Sequence, residues 1–533
     1  MKRTIVRLIT SIACVTPSLA FAQSAPQTDV SLSSAPPLDQ SPPPPVALPP
    51  QAPTPVTQSA ASTSSPRAFI ELSSLRLMRE KGIISQAEFD SAVRDLGETS
   101  GLRAADQATV VVGKWATTMY GFVEADTIWD STDSLNDLAG NAGIIPHGGQ
   151  TGGDYRGDNS RVTFGTRNSR IGFRLKAPEI AGGIRTTGQL EMDFLGAQLP
   201  VSEAAPVVSE GSYFASPVLR TRHMNLKIET PVVDILMGQY WALFGWQSAY
   251  NPNTVEIQGV PGEIYSRTTQ LRVSKSLHLD DLTIEAAVAA TRPVQRDAGL
   301  PDGQAGLRVA YEGWTAAQTQ GSTGTTISPI SVALTGLTRR VEVAAWGATA
   351  AKNTNDLTLS AWAIDGFLPV LPGTKGHMGN SLAFNGEVAS GKGFADQYTS
   401  LSGGIGFPAP PGGTYTPDID SGIVTYDTAG NLHSIQWTGF LVGVQYYLPE
   451  LDGKVWVSGN FSHLTSNNIG TFAVEQNTAK SVLQDLYWFD ANVFVDPLPN
   501  IRFGLEYANF QSKYVSDVLA VNQRVQFSGF LLF

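Results

Sequence analysis

The sequence predicts an all-β fold, a transmembrane antiparallel β-barrel of about 16 strands, preceded by a short N-terminal helical extension. Three observations carry this. From about Lys114 onward the chain is a succession of alternating apolar and polar segments whose connections are long, then short, in turn. The last segment, Val525-Gln526-Phe527-Ser528-Gly529-Phe530-Leu531-Leu532-Phe533, places Val525, Phe527, Leu531 and the final Phe533 on one face of an extended strand. The first residues have the pattern of an export signal, and no later run is long and apolar enough to cross a bilayer as a helix, so a membrane location requires strands closed into a cylinder.

The N-terminal elements follow in order. Lys2, Arg3 and Arg7 form a basic start, Leu8 to Leu19 a mostly apolar run, and Ala20-Phe21-Ala22 an A-x-A cleavage site, so residues 1–22 are expected to be a signal peptide. Cys14 is the one cysteine, and Ser11 stands where a lipid-attachment box carries a larger aliphatic residue. Cleavage after Ala22 removes that cysteine, leaving neither disulfides nor thiol chemistry. Residues 23–66 are dominated by Pro, Ser, Ala, Thr and Gln, with an unbroken Pro42 to Pro45 run, and read as an extended linker or tether. Across residues 67–98 the period becomes helical: Ile70, Leu72, Leu75 and Met78, a break at Gly82, then Phe89, Val93 and Leu96, with Ser85 and Glu88 as a capping box. Helices this short are marginal alone. Their apolar faces are expected to pack between subunits as a periplasmic oligomerisation stalk.

Residues 114–533 are the expected barrel domain. Met119, Val123 and Ala125 are interleaved with Tyr120, Phe122, Glu124 and Asp126. Ile171, Phe173 and Leu175 alternate with Arg170, Gly172, Arg174 and Lys176, and Arg185 to Asp193 forms the returning strand. Long connections follow near residues 130–160, 198–217 and 243–267, and short turns near 178–183, 230–233, 279–281, 449–453 and 497–500. Trp115, Tyr120, Trp129, Tyr311, Trp314, Tyr446, Tyr447, Tyr487 and Trp488 fall toward strand ends, where interfacial girdles belong. About 420 residues at roughly 25 per strand and connection give about 16 strands, a size that leaves an aqueous bore.

If the apolar parity meets lipid, the opposite parity meets water. It carries Arg170, Arg174, Lys176, Arg185, Arg272 and Arg308, with Arg340 assigned to the same set, against Glu124, Asp126, Glu191, Asp193, Glu285 and Glu312. A lining of arginines attracts anions, since the guanidinium fork matches carboxylate and phosphate; the alternative is that the acids neutralise it and the wall is merely polar. The third long connection is rich in aromatics, amides, Gly and Pro, a poor composition for a loop standing in water. It is expected to fold inward as a constriction, with Trp241, Trp246, Tyr250, Asn253, Glu256, Gln258, Glu263 and Arg267 as its candidate selectivity residues.

The runs Tyr120-Gly121-Phe122-Val123-Glu124-Ala125-Asp126, Thr166-Arg167-Asn168-Ser169-Arg170-Ile171-Gly172-Phe173, Gly188 to Phe194, Leu219-Arg220-Thr221-Arg222-His223 and Gly238 to Trp246, together with Asn253 to Gly262, resemble the DcaP-like porins. The likeness covers the first third of the barrel. It implies a 16-stranded homotrimer of the bacterial outer membrane with an N-terminal periplasmic helical extension, passing dicarboxylates and other small anions.

Other chemistries lack support. No G-x-S-x-G elbow, P-loop, HExxH or Cys/His metal spacing occurs, so no enzyme, metal or cofactor is expected. A net charge of -11 argues against a nucleic-acid partner. The expected partners are outer-membrane lipid, small anionic solutes and two further copies of the chain, with cell-wall contact through the tether as an open alternative. Besides an anion-preferring porin, two functions stay open: a general or sugar-passing porin relying on Trp241, Trp246 and Tyr250, and a non-conducting barrel anchored to the cell wall.

Overall fold

The computed structural model describes residues 109–533 except 113–114, 141–142, 181, 197–217, 257–258, 295–297, 322, 346–353, 399–400 and 402–421. The signal peptide, the Pro-rich linker and the helical pair lie outside the described residues. The strands are β1 (Thr109–Val112), β2 (Trp115–Asp130), β3 (Arg161–Gly165), β4 (Arg170–Lys176), β5 (Arg185–Asp193), β6 (Arg220–Glu229), β7 (Asp234–Trp241), β8 (Arg267–Leu279), β9 (Leu282–Thr291) and β10 (Asp302–Gln318). They continue as β11 (Thr326–Ala344), β12 (Thr354–Leu371), β13 (Leu382–Lys392), β14 (Val424–Tyr426), β15 (Leu432–Ser434), β16 (Gln436–Tyr447), β17 (Val455–Ser466), β18 (Leu483–Leu498), β19 (Ile501–Tyr514) and β20 (Leu519–Leu532). Two short helices, α1 (Gln247–Tyr250) and α2 (Ile469–Glu475), lie in connections.

Consecutive wall strands pair antiparallel, and β20 pairs back onto β2, so the sheet closes. The wall has 16 strands: β3 and β4 both pair with β2 and are two halves of one strand, β14 and β15 form a separate hairpin, and β1 pairs only with the start of β2. The break between β3 and β4 falls inside the predicted run Thr166 to Phe173. There Ser169 Oγ donates to the Glu124 carbonyl at 3.2 Å and Asn168 Nδ2 donates to Asp126 Oδ2 at 3.0 Å, so side chains take over where the ladder stops.

The seam depends on residue size. The amide of Gly121 donates to the Phe533 carbonyl at 2.8 Å, and that of Phe533 donates back at 3.0 Å. Gly121 has φ +148°, and a Cβ there would stand 2.2 Å from the Arg170 carbonyl oxygen. Only glycine lets β20 and β4 approach β2 from both sides at this point.

Alternation sets the two faces. On β20, Val525, Phe527 and Leu531 point outward and exposed, while Arg524, Gln526 and Ser528 are fully buried inside. The same rule holds on β11, where Val332 and Leu334 are outside and Ala333, Thr335 and Leu337 inside. It corrects the placement of Arg340, which shares the outward parity and pairs with Asp356 at 3.2 Å on the exterior. The inward arginine is its neighbour, Arg339. The aromatic girdle is also only partly external. Trp115, Trp129, Tyr311 and Trp314 are exposed outside, whereas Tyr120, Tyr447 and Trp488 are buried inside. Tyr447, Trp456 and Phe494 stack in sequence with centroids 5.5 and 5.1 Å apart, and the Arg502 guanidinium lies 4.5 Å over the Trp456 ring.

Replacing Gly121 by Val is expected to cost about 1–3 kcal/mol at the seam. The readout is the temperature at which the folded barrel loses its compact electrophoretic mobility in detergent; an unchanged transition would contradict this account of closure.

Candidate functional site

The connection 242–266 crosses the interior from one wall to the other. At its start the amides of Leu243 and Phe244 donate to Gln304 Oε1 at 2.8 and 3.0 Å, and that of Gly245 donates to Thr335 Oγ1 at 3.0 Å. The chain then turns through Trp246, whose φ of 38° is left-handed, and its ring fits against Gly306, where a Cβ would come within 2.6 Å. At the far wall, Trp456 Nε1 donates to Asn253 Oδ1 at 2.9 Å, and Ser458 and Asn460 donate to the Asn253 carbonyl. Glu506 Oε2 then accepts from Thr254 Oγ1 at 2.5 Å and from the amides of Val255 and Glu256 at 2.8 and 3.1 Å. Ser462 holds the Pro261 carbonyl, and the Ile264 amide donates to Glu387 Oε1 at 2.8 Å. Irregular backbone at membrane depth has to find such partners.

A second segment meets it. In the short connection 319–325, the Gly321 amide donates to the Pro252 carbonyl at 3.0 Å, and Asn253 Nδ2 donates to the Gly321 carbonyl at 3.1 Å. Thr319 is fully buried. This connection, which the sequence reading did not single out, thus folds into the barrel interior.

Beside this crossing lies a cavity of about 190 Å³ bordered by Arg170, Arg174, Gln189, Glu191, Arg222, His223, Tyr240, Trp241 and Tyr265 on the wall and by Asn251, Thr254, Glu256 and Glu263 on the crossing segment. Arg222 Nε donates to Glu191 Oε1 at 2.7 Å, and its NH1 donates to Asp193 Oδ2 at 3.2 Å. Arg220 clasps Asp193 at 3.0 and 2.6 Å. Arg170 stands 3.7 Å from Glu191 and over the Phe122 ring. Arg174 lies 4.2 Å over the Tyr120 ring and forms no ion pair among the described residues. The Tyr120 ring is itself seated on Gly172, where any Cβ would meet it at 2.3 Å. A second cavity, of about 380 Å³, borders Arg308, Glu285, Trp246, Gln318 and Gln320.

The remaining residues singled out in the sequence are distributed unevenly. Glu124 and Asp126 face inward but are covered, Asp126 by Ser528, Asn168 and Gln526, so they do not border open space. Asp193 is likewise buried in its arginine pairs. Lys176 and Arg185 sit near the short-turn end, where Arg185 meets Glu229 at 3.2 Å. Arg272 donates to Gln270 Oε1 and to the Trp241 carbonyl at 2.9 and 2.6 Å. Arg308 donates to the Tyr250 hydroxyl at 3.3 Å. Trp241 is the last residue of β7 rather than part of the crossing, and Arg267 opens β8, placing its guanidinium 5.1 Å over the Trp241 ring. Trp246 and Tyr250 are packed against the wall, with Trp246 keeping only an edge on the second cavity, and Asn253 is consumed in pinning. Glu256 is paired with Arg524 at 3.0 Å, and Glu263 Oε2 accepts the Val260 amide. Gln258 lies outside the described residues.

Of the buried arginines that were not among the candidates, Arg524 and Arg222 bear directly on the site. Arg524 holds Asp130 and Glu256 together, and its parity opposite Phe527 was readable. Arg222 was hidden by a bulge: the register passes from Glu191 opposite His223 to Met192 opposite Thr221, so Arg222 and His223 both turn inward.

No family model matches the chain, and no curated protein matches it. Among solved structures, the outer membrane channel DcaP of Acinetobacter baumannii aligns with a TM-score of 0.54 at 17% identity, over 79% of this chain and 99% of that one. The chain shares the fold of the DcaP channel. An anion-selective porin from Comamonas acidovorans aligns at 11% identity, over 79% and 100% of the two chains, with a TM-score of 0.43. The DcaP likeness spans the whole length of that channel, and it agrees with the resemblance seen in the first third of the barrel sequence.

The parity correction is testable on neighbouring arginines. Arg339 donates to Asp396 Oδ1 at 2.6 Å and approaches Asp302 at 2.9 Å in a buried site. Arg339→Leu strands the buried Asp302 carboxylate and the partly buried Asp396 and should cost about 3–5 kcal/mol, whereas Arg340→Leu should cost roughly 0–1 kcal/mol. Denaturant unfolding in detergent reads the difference, and equal effects would refute the assignment.

Proposed function

We propose that the protein is an outer-membrane porin for passive diffusion of small hydrophilic solutes, preferring organic anions such as dicarboxylates. It acts as a homotrimer, with its N-terminal extension in the periplasm and its tether as a candidate cell-wall contact. The observation that carries the anion preference is the cavity wall where Arg170, Arg174 and Arg222 converge beside the crossing segment. Arg222 is paired with Glu191 and Asp193, Arg170 stands 3.7 Å from Glu191, and Glu256 is taken up by Arg524, so the positive charge offered to a solute rests mainly on Arg174, which forms no ion pair among the described residues. A positive, partly dehydrated constriction lowers the barrier to carboxylates and raises it to cations. The apolar exterior fits a lipid surroundings, and the DcaP-type fold fits a conducting pore. Aromatic stacking of sugars finds less support, because Trp246 and Tyr250 are packed against the wall and Trp241, at the edge of the first cavity, has its ring engaged by Arg267 and Tyr265.

The test is the reversal potential of the purified protein in a planar bilayer under a KCl gradient. An anion-selective potential is expected, and Arg170→Glu with Arg174→Glu should move it toward cations. An unchanged potential in the folded double variant would refute the arginine lining. A barrel that is folded but never conducts would favour the structural-anchor function.

The pinning of the crossing segment gives a separate expectation. Glu506→Ala removes the acceptor of three hydrogen bonds at residues 254–256, so open-state current should rise and become noisier. Identical single-channel traces would show that those bonds do not set the bore.

A further inference from the structure

We propose that Glu191 is a resident carboxylate occupying the arginine site that a permeating carboxylate uses, so that it sets how long an anion stays. The proposal rests on the anion-porin reading and assigns a specificity-determining residue within it. Glu191 is held as a bound solute would be: Oε1 accepts from Arg222 Nε at 2.7 Å with Arg170 Nε at 3.7 Å, and Oε2 accepts from the Tyr120 hydroxyl at 3.0 Å. Tyr120 is oriented for this by Gln189, whose Nε2 donates to the hydroxyl at 2.6 Å. Guanidinium and phenol donors form a carboxylate-binding set, and the cavity opens on its guanidinium side, at Arg170 and Arg222, and on Glu191 itself.

The contrast with Asp193 separates this role from wall repair. Asp193 neutralises Arg220 and Arg222 from a fully buried position, with Arg220 contributing its Nε and one terminal nitrogen. Glu191 instead borders the cavity, while Arg174 beside it lacks an ion-pair partner among the described residues. An entering carboxylate meets the exposed Arg174 and competes with Glu191 for the donors of Arg170 and Arg222, while Tyr120 holds Glu191 in place from behind. A site without an internal competitor would hold the anion and stop the current, since conduction requires binding that is also easily undone. Glu191 shortens the stay.

The experiment compares wild type, Glu191→Gln and Tyr120→Phe in planar bilayers, each first shown to be folded by its heat-modifiable mobility. The probe is succinate, read as the residence time of current blocks, with the KCl-gradient reversal potential recorded on the same channels. Glu191→Gln keeps an amide oxygen for Arg222 and removes the charge, so it should lengthen succinate residence about tenfold and move the potential further toward anion selectivity. Tyr120→Phe weakens the hold on Glu191 without changing charge, so it should lengthen residence less and leave the potential near that of wild type. Unchanged residence in folded Glu191→Gln overturns the proposal. Should that variant not fold, Tyr120→Phe decides: longer residence supports the proposal and unchanged residence overturns it. A cation-selective wild type would instead refute the anion-porin reading, and the difference between variant and wild type would still decide the role of Glu191.

Discussion

The structure depends on satisfying irregular backbone in a place with little water. The barrel wall needs little help, because each wall strand has two neighbours, side chains bridge the break between β3 and β4, and the seam at Gly121 and Phe533 closes the sheet. The crossing segment 242–266 has no such ladder, and its amides and carbonyls find side chains on opposite walls: Gln304 and Thr335 at the start, then Asn492, Glu506, Asn460 and Glu387. Most of the inward polar residues on those strands are explained by that one requirement. The barrel interior is therefore less a water-facing lining than a set of docking points for one inserted segment, and the cavities are what remains.

Charge follows the same logic. Buried arginines are placed where two acids converge, as with Arg524 between Asp130 and Glu256 and Arg339 between Asp302 and Asp396, because a charge taken out of water must be compensated locally. Beside the first cavity Arg170, Arg174 and Arg222 come together, and Arg174 forms no ion pair among the described residues. A net charge of -11 for the whole chain gives no hint of that local arrangement.

The sequence made the wall legible and left much of the interior obscure, for physical reasons. Period-2 alternation assigns faces wherever a strand is regular, as at Val525 and Phe527 or at Arg170 and Arg174. It fails at irregularities: a bulge put Arg222 inside, and one residue of phase separated Arg339 from Arg340. The inward fold of the third long connection was readable from its composition, since aromatic residues avoid water. Which side chains would face the bore was not, because Trp246, Tyr250 and Asn253 are all used up in fixing the segment, and nothing local in the sequence separates an anchor from a lining group. The turn at residues 319–325 carried no signal either, being polar and Gly-rich like any external turn.

The contact of Trp246 with Gly306 gives this arrangement an adjustable part. The indole reaches its seat because β10 has only a hydrogen where other residues carry a side chain, and the crossing segment leaves the wall at the height and angle that this vacancy permits. The seat of the inserted segment is thus written partly on a wall strand far along the chain from it. One methyl group at position 306 would act as a shim, shifting that segment without altering any charge.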